Sequence, residues 1–252
     1  MTRPWIVSGT EFVLDWGGRP WTLKVDDPRP GLRAEGRGPL LGLEGVAEVG
    51  RWDPDALSRA TLTAVEHRFN RIEATYSPPG WGALTVRASW FPVEDDGVEL
   101  EVQLSAQSVD ELRSVEVKVL STLAEVPPEP GAGNVYPRDV RSAALTYDGR
   151  ETFPEAEGQG MTTWPPRPIG PDFITSWSYF EGSYVELVYP GDISRRIQQT
   201  ETLRYGLFGH DLEKGVVLLG RLRGHWYHHP NFNAAVQRLA RQFHDSPLPL
   251  ST

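Results

Sequence analysis

Residues 83–106 read Ala-Leu-Thr-Val-Arg-Ala-Ser-Trp-Phe-Pro-Val-Glu-Asp-Asp-Gly-Val-Glu-Leu-Glu-Val-Gln-Leu-Ser-Ala. Leu84, Val86, Ala88 and Trp90 alternate with Thr85, Arg87 and Ser89. After the turn Glu94-Asp95-Asp96-Gly97, Val98, Leu100, Val102 and Leu104 alternate with Glu99, Glu101, Gln103 and Ser105. Alternation with a period of two puts one face of a strand in a core and the other in water. Asp-Gly tolerates the positive φ that a tight turn requires. The stretch is therefore a β-hairpin, and it predicts an antiparallel sheet.

The same reading extends outward. Residues 71–76 place Ile72, Ala74 and Tyr76 on one face before the Pro78-Pro79-Gly80 turn. Residues 114–120 place Val115, Val117 and Val119 opposite Glu116 and Lys118. Read together, 71–120 predicts a four-stranded meander. Further hairpins are expected at 11–25 through Gly17-Gly18, at 173–180 with 184–189, and at 201–208 with 216–222. A short helical turn is expected at 53–57. Phe232, Ala235, Val236, Leu239 and Phe243 form one apolar stripe, which predicts a helix over 231–243 with Asn231 as its N-cap.

Composition agrees with this reading. The 25 glycines and 22 prolines suit many short strands joined by turns, and nine tryptophans supply bulk for a large core. The expected fold is all-β: a large antiparallel β-sandwich of supersandwich type, with few short helices and one C-terminal helix. All-β domains of this length are often single, so 1–252 is read as one domain.

The chain has no cysteine, which excludes disulfides, thiolate metal sites and cysteine nucleophiles. No run approaches eighteen apolar residues, and the N-terminus lacks the apolar segment of a signal peptide. A soluble, cytoplasmic protein is expected. The net charge of -9 comes with scattered arginines and no basic stripe, so neither nucleic acid nor membrane is an expected partner. Phosphate-binding loops, dinucleotide fingerprints, HExxH and GxSxG are all missing.

The candidate chemistry lies elsewhere. Residues 127–172 lose all periodicity and hold nine prolines and six glycines around Tyr136, Arg138, Asp139 and Trp164. A long irregular segment inside a compact domain is functional or flexible. Tyr136-Pro137-Arg138-Asp139 offers donors and acceptors suited to hydroxyls, or else a local salt bridge. Gly224-His225-Trp226-Tyr227-His228-His229 offers rings for stacking and imidazoles for hydrogen bonds, or else a polar strand exit. His228 and His229 point to opposite faces of an extended strand, so no metal is expected, and no cofactor is implied. His210 beside Asp211 pairs an imidazole with a carboxylate, though its place in a connection also suits a turn. Glu116 and Glu186 are conceivable paired carboxylates, but a strand glutamate facing water is the plainer expectation.

Residues 70–123 resemble the galactose mutarotase-like supersandwich group. The likeness rests on Asn70-Arg71-Ile72-Glu73-Ala74-Thr75-Tyr76, the Pro-Gly turn, Leu84-Thr85-Val86-Arg87-Ala88-Ser89-Trp90, an acidic turn and then Val98-Glu99-Leu100-Glu101-Val102. That group includes aldose epimerases and sandwich domains of glycoside hydrolases and polysaccharide lyases. Aldose epimerases carry an Asn-His-x-Tyr-Phe-Asn-Leu run soon after this point. Here Val115-Glu116-Val117-Lys118-Val119 stands in its place without a histidine, so no catalytic residue is carried over.

The resulting expectation is a carbohydrate ligand in a cleft of a concave sheet. Asp139 and His210 would handle protons, and Tyr136, Arg138, Trp164, Trp177, His225 and Trp226 would hold the sugar. Such a protein is an epimerase-, hydrolase- or lyase-type enzyme, or a non-catalytic carbohydrate-binding module, or an accessory or structural subunit.

Overall fold

A computed structural model of the protein describes residues 5–93, 96–107, 112–122, 139–145, 151–152, 162–164, 173–178, 183–198, 202–227 and 232–246. For 139–145, 151–152, 162–164, 173–178, 190, 198 and 232–234 the description covers the backbone.

The chain begins with β1 (Ile6–Ser8), β2 (Glu11–Trp16), β3 (Arg19–Lys24) and β4 (Leu32–Arg33), then β5 (Gly42–Glu48), β6 (Arg51–Asp53), β7 (Thr61–Arg68) and β8 (Arg71–Ser77). There follow β9 (Leu84–Val93), β10 (Gly97–Ala106), β11 (Leu112–Thr122), β12 (Asp139–Leu145), β13 (Glu151–Thr152), β14 (Thr162–Trp164) and β15 (Phe173–Ser178). The last elements are β16 (Ser183–Val188), a 3-10 turn (Pro190–Asp192), β17 (Ile193–Gln198), β18 (Thr202–Leu212), β19 (Val217–Tyr227) and α1 (Phe232–Asp245).

Among the described residues these strands form three antiparallel sheets. One is β1-β2-β3-β4, the second is β13-β12-β15-β16-β19-β10-β9-β8-β7, and the third is β14-β17-β18-β11-β5-β6. The hairpin of the opening stretch is present, with Leu84 opposite Ala106 and Val93 opposite Gly97. Asp96 takes the positive φ (63°) expected of the turn. Leu84, Val86, Ala88 and Trp90 are at most 1% exposed, and burying a side chain of Val or Leu size is worth about 1.5–3 kcal/mol.

Two expectations about pairing are corrected. β11 does not continue the meander of β8, β9 and β10. It crosses to the six-stranded sheet and pairs with β18 and β5, while β10 pairs instead with β19. Likewise β18 and β19 do not pair with each other; the connection between them passes from the six-stranded to the nine-stranded sheet. Alternation reports that a strand has one apolar face, and both sheets offer such a place. The helical turn expected at 53–57 is absent: Asp53 ends β6 and residues 54–57 form a turn, with the Asp55 N–H donating to Asp53 Oδ1 at 3.2 Å.

The buried apolar side chains from Trp5 to Trp226 form one contiguous core between the sheets. The Gly17-Gly18 turn of the first hairpin sits directly over Trp226. A Cβ on Gly17 (φ 59°) would lie 2.8 Å from the indole, so only glycine fits there. A second, smaller core lies on the other side of the nine-stranded sheet, where Val185 and Leu187 of β16 meet Val236, Leu239, Ala240 and Phe243 of α1. β16 is thus covered on both faces, which explains its nearly continuous apolar run.

Glu99 and Glu101 do not face water as their alternation suggests. Both are 3% exposed. Glu99 accepts from Arg223 Nε (2.8 Å) and Nη2 (2.6 Å), and Glu101 pairs with Arg71 Nη1 at 2.7 Å. Buried carboxylates persist when paired in this way.

Candidate functional site

The six-stranded sheet turns Val115, Val117 and Val119 of β11 toward the core, so Glu116 and Lys118 occupy its outer face. Register carries that face across neighbouring strands. Glu116 is opposite Ala47, and Ala47 is opposite Trp52; Lys118 is opposite Gly206, and Gly206 is opposite Arg195. An irregularity between Lys118 and Val119 in the β5 pairing lets Glu44 join the same side.

The side chains form a connected charge network. Lys118 Nζ, Ser194 Oγ and Arg195 Nη2 (2.8 Å) all donate to the Glu116 carboxylate. Arg204 Nε donates to both oxygens of Glu44 at 2.9 and 3.0 Å. The Lys118 ammonium lies 5.7 Å from the centre of the Trp52 ring. Glu44, Glu116 and Lys118 are nearly buried, whereas the Arg195 side chain is 47% exposed and Trp52 47%. The face therefore has a fixed, desolvated floor and an accessible rim.

Gly206 makes the floor possible. A Cβ there would meet Ser194 Oγ at 2.9 Å and Glu116 Cδ at 3.0 Å, so the carboxylate lies across a position that has no side chain. Burial tends to raise the Glu116 carboxyl, but hydrogen bonds from Lys118 and Ser194 and the charges of Lys118 and Arg195 outweigh it and hold the group below the usual carboxylate range. Burial pulls the Lys118 ammonium below the usual lysine range, against the opposing pull of Glu116. Glu116 is thus a committed carboxylate, and Lys118 gives up its proton more readily than a surface lysine.

A second polar cluster lies between the sheets. Glu186 of β16 is fully buried, and its Oε2 accepts from Ser121 Oγ (2.7 Å) and Tyr184 Oη (2.8 Å). Burial raises its carboxyl to about 7, against the bonds from Ser121 and Tyr184 and the charge of Arg196. Ser121 belongs to the six-stranded sheet, so this carboxyl ties the two sheets together. Glu116 and Glu186 consequently occupy opposite faces of the six-stranded sheet and do not form a pair across one cleft. Neither is the water-facing glutamate expected from alternation.

No family model matches the chain, and no curated protein matches it in sequence. Solved structures do match in shape. A candidate aldose 1-epimerase from Klebsiella pneumoniae subsp. pneumoniae superposes with a TM-score of 0.55 over 98% of this chain and 90% of that one, at 9% identity. The fold is the galactose mutarotase-like supersandwich. The GalM/aldose epimerase homologue from C. elegans covers 90% of this chain and 98% of its own, at a TM-score of 0.42 and 8% identity. Heparan sulfate lyase HepC from Pedobacter heparinus covers 90% of this chain and 37% of its own, at 0.44 and 8%. At such identities the likeness is one of fold.

Within this mutarotase-like fold the sequence-predicted residues scatter. Trp226 and Trp177 fall on one row, each opposite Tyr184 of β16. The Trp226 ring is enclosed by Trp16, Trp21 and Tyr184, with centroids 6.3, 6.1 and 5.2 Å away, and by the Arg37 guanidinium at 5.3 Å. His225 lies on the other face of β19, 2% exposed, with its ring 5.6 Å from that of Tyr227. It therefore does not share a surface with Trp226. His210 is exposed near the end of β18, and Asp211 beside it accepts from the Ser114 N–H at 2.8 Å. Asp139 opens β12 opposite Ser178, in a different sheet from His210. Trp164 lies opposite Arg196 at the edge of the six-stranded sheet. Tyr136, Arg138, His228, His229 and Asn231 lie outside the described residues.

The outer-face network was half legible. Glu116 and Lys118 stand out as the polar half of an alternation, but Glu44, Trp52, Arg195 and Arg204 reach them only through strand pairing. Among the described residues no three His, Asp or Glu side chains converge as a metal site, and no helix is long and apolar enough to cross a membrane.

Proposed function

We propose that the protein binds a sugar or oligosaccharide on the outer face of the six-stranded sheet. The observation that carries this reading is a half-exposed indole, Trp52, beside an ordered row of opposed charges on one sheet face. An indole ring suits the apolar face of a pyranose, and donors and acceptors already fixed by one another suit its hydroxyls.

An enzymatic form of this reading draws on the contact between Glu116 and Lys118. A held carboxylate and a lysine of lowered proton affinity within one hydrogen bond are the elements of proton transfer in isomerase- or lyase-type chemistry. The pair expected from sequence, Asp139 and His210, belongs to two different sheets, and the binding reading does not use it.

Calorimetric titration with mono- and oligosaccharides, on wild type and Trp52→Ala, tests the proposal. Trp52 is exposed enough for its loss to leave the fold intact, which circular dichroism checks. Stacking of an aromatic on a ligand contributes on the order of 1 kcal/mol or more, so at least a fivefold weakening is expected. A sugar that binds equally well to both proteins would move the site off this face.

A further inference from the structure

The charge network of the outer face carries the opposite sign to the molecule. Among the described residues that network holds Lys118, Arg195 and Arg204 against Glu44 and Glu116, three cations to two carboxylates, in a chain of net charge -9. The carboxylates sit at the floor and are already engaged. Glu116 accepts from Lys118, Ser194 and Arg195, and Glu44 holds Arg204 through both its oxygens. The surplus cation therefore belongs to the Glu116 cluster, where two cations share one carboxylate.

Of those two, Lys118 is nearly buried and Arg195 is half exposed at the rim. The Arg195–Glu116 bond runs through Nη2, and a guanidinium presents further N–H donors in a planar fork that matches the geometry of a carboxylate, phosphate or sulfate group. A cation held over a desolvated floor also keeps more of its field than one in open solvent.

We infer that the ligand of this face is an acidic sugar, one bearing a carboxylate, phosphate or sulfate group that pairs with Arg195. The inference rests on the proposed binding face and narrows its substrate class.

The test is calorimetric titration of the full chain with three oligosaccharides of matched length: a neutral one, an oligogalacturonide and a sulfated one. At least one acidic ligand is expected to bind tenfold or more tightly than the neutral one. That preference should shrink as salt rises from about 50 to about 500 mM, because screening shortens the reach of the surplus charge. Arg195→Gln should weaken the acidic ligand at least tenfold more than the neutral one. Which acidic ligand responds separates carboxylate from sulfate as the recognised group. Neutral and acidic sugars binding alike, or a preference unmoved by salt and by Arg195→Gln, would overturn the inference while leaving the binding face in place. No binding of any sugar would overturn both.

Discussion

Ser121 and Tyr184 both donate to the same oxygen of Glu186, in a position with no exposure to solvent. Burial raises this carboxyl from 4.5 to about 7. The folded protein therefore keeps a proton that the unfolded chain releases above 4.5. Stability from this group is fully present below 4.5 and is lost as pH rises to about 7, by as much as about 3 kcal/mol. Glu186→Gln keeps an acceptor for both hydroxyls and cannot ionise. It should flatten this part of the pH profile and be the more stable protein at pH 8, as urea midpoints at pH 5 and 8 would record. Asp192, also raised by burial to about 6, pulls in the same direction, so the difference between variant and wild type is the quantity to read. Parallel profiles for the two proteins would contradict the assignment. Gly206 offers a second residue-scale test. Gly206→Ala forces a methyl against Ser194 Oγ and Glu116 Cδ, and crowding of this kind costs about 1–3 kcal/mol. Sugar binding should weaken along with the urea midpoint, because the displaced atoms are the floor of the proposed site.

At the scale of elements, α1 shows how a surface becomes a core. Phe243 is fully buried against the nine-stranded sheet, with Arg221 and Arg223 stacked at 4.7 and 4.9 Å from its ring. Arg221 also closes the end of the helix, donating from Nη2 to the carbonyls of Phe243 (2.9 Å) and Ser246 (3.0 Å). These bonds satisfy carbonyls that a helix end otherwise leaves open. Phe243→Ala should cost about 3–5 kcal/mol, read from the thermal or urea midpoint. A loss under 1 kcal/mol would mean the helix is only loosely docked. The helix and the hairpins at 11–25, 83–106 and 173–189 were legible because each is written in a local pattern. The partners of β11, β18 and β19 were not, because period-two alternation says which face is apolar and never which sheet receives it. The candidate site suffered for the same reason. Glu116 and Lys118 look like the wet side of a strand until Arg195 and Trp52 arrive on strands two places away in the sheet, from 79 residues later and 64 residues earlier, respectively. Conversely, the His225–His229 run is rich in aromatic and imidazole rings by composition alone, while pairing places His225 and Trp226 on opposite faces of one strand.

At the scale of the whole molecule, the four-stranded sheet decides whether the chain behaves as one body. Its β2–β3 hairpin sends Trp16 and Trp21 against Trp226 and Tyr184 of the nine-stranded sheet. Polar atoms bind the same regions together: Trp5 Nε1 donates to the Asn70 carbonyl at 2.7 Å, Tyr76 Oη to that of Val25 at 2.8 Å, and Trp90 Nε1 to that of Leu41 at 3.2 Å. Contacts this apolar and this interlocked leave no surface on which the first 30 residues could separate cheaply, since exposing two indoles costs several kcal/mol. We expect the chain to unfold as a single unit. Urea titrations followed by tryptophan fluorescence and by far-ultraviolet circular dichroism should give coincident transitions. Trp21→Ala, which empties the space beside Trp226, should shift both curves together by about 3–5 kcal/mol. Two separated transitions, with only the fluorescence curve moved by Trp21→Ala, would instead make the N-terminal sheet an independent module resting on the sandwich.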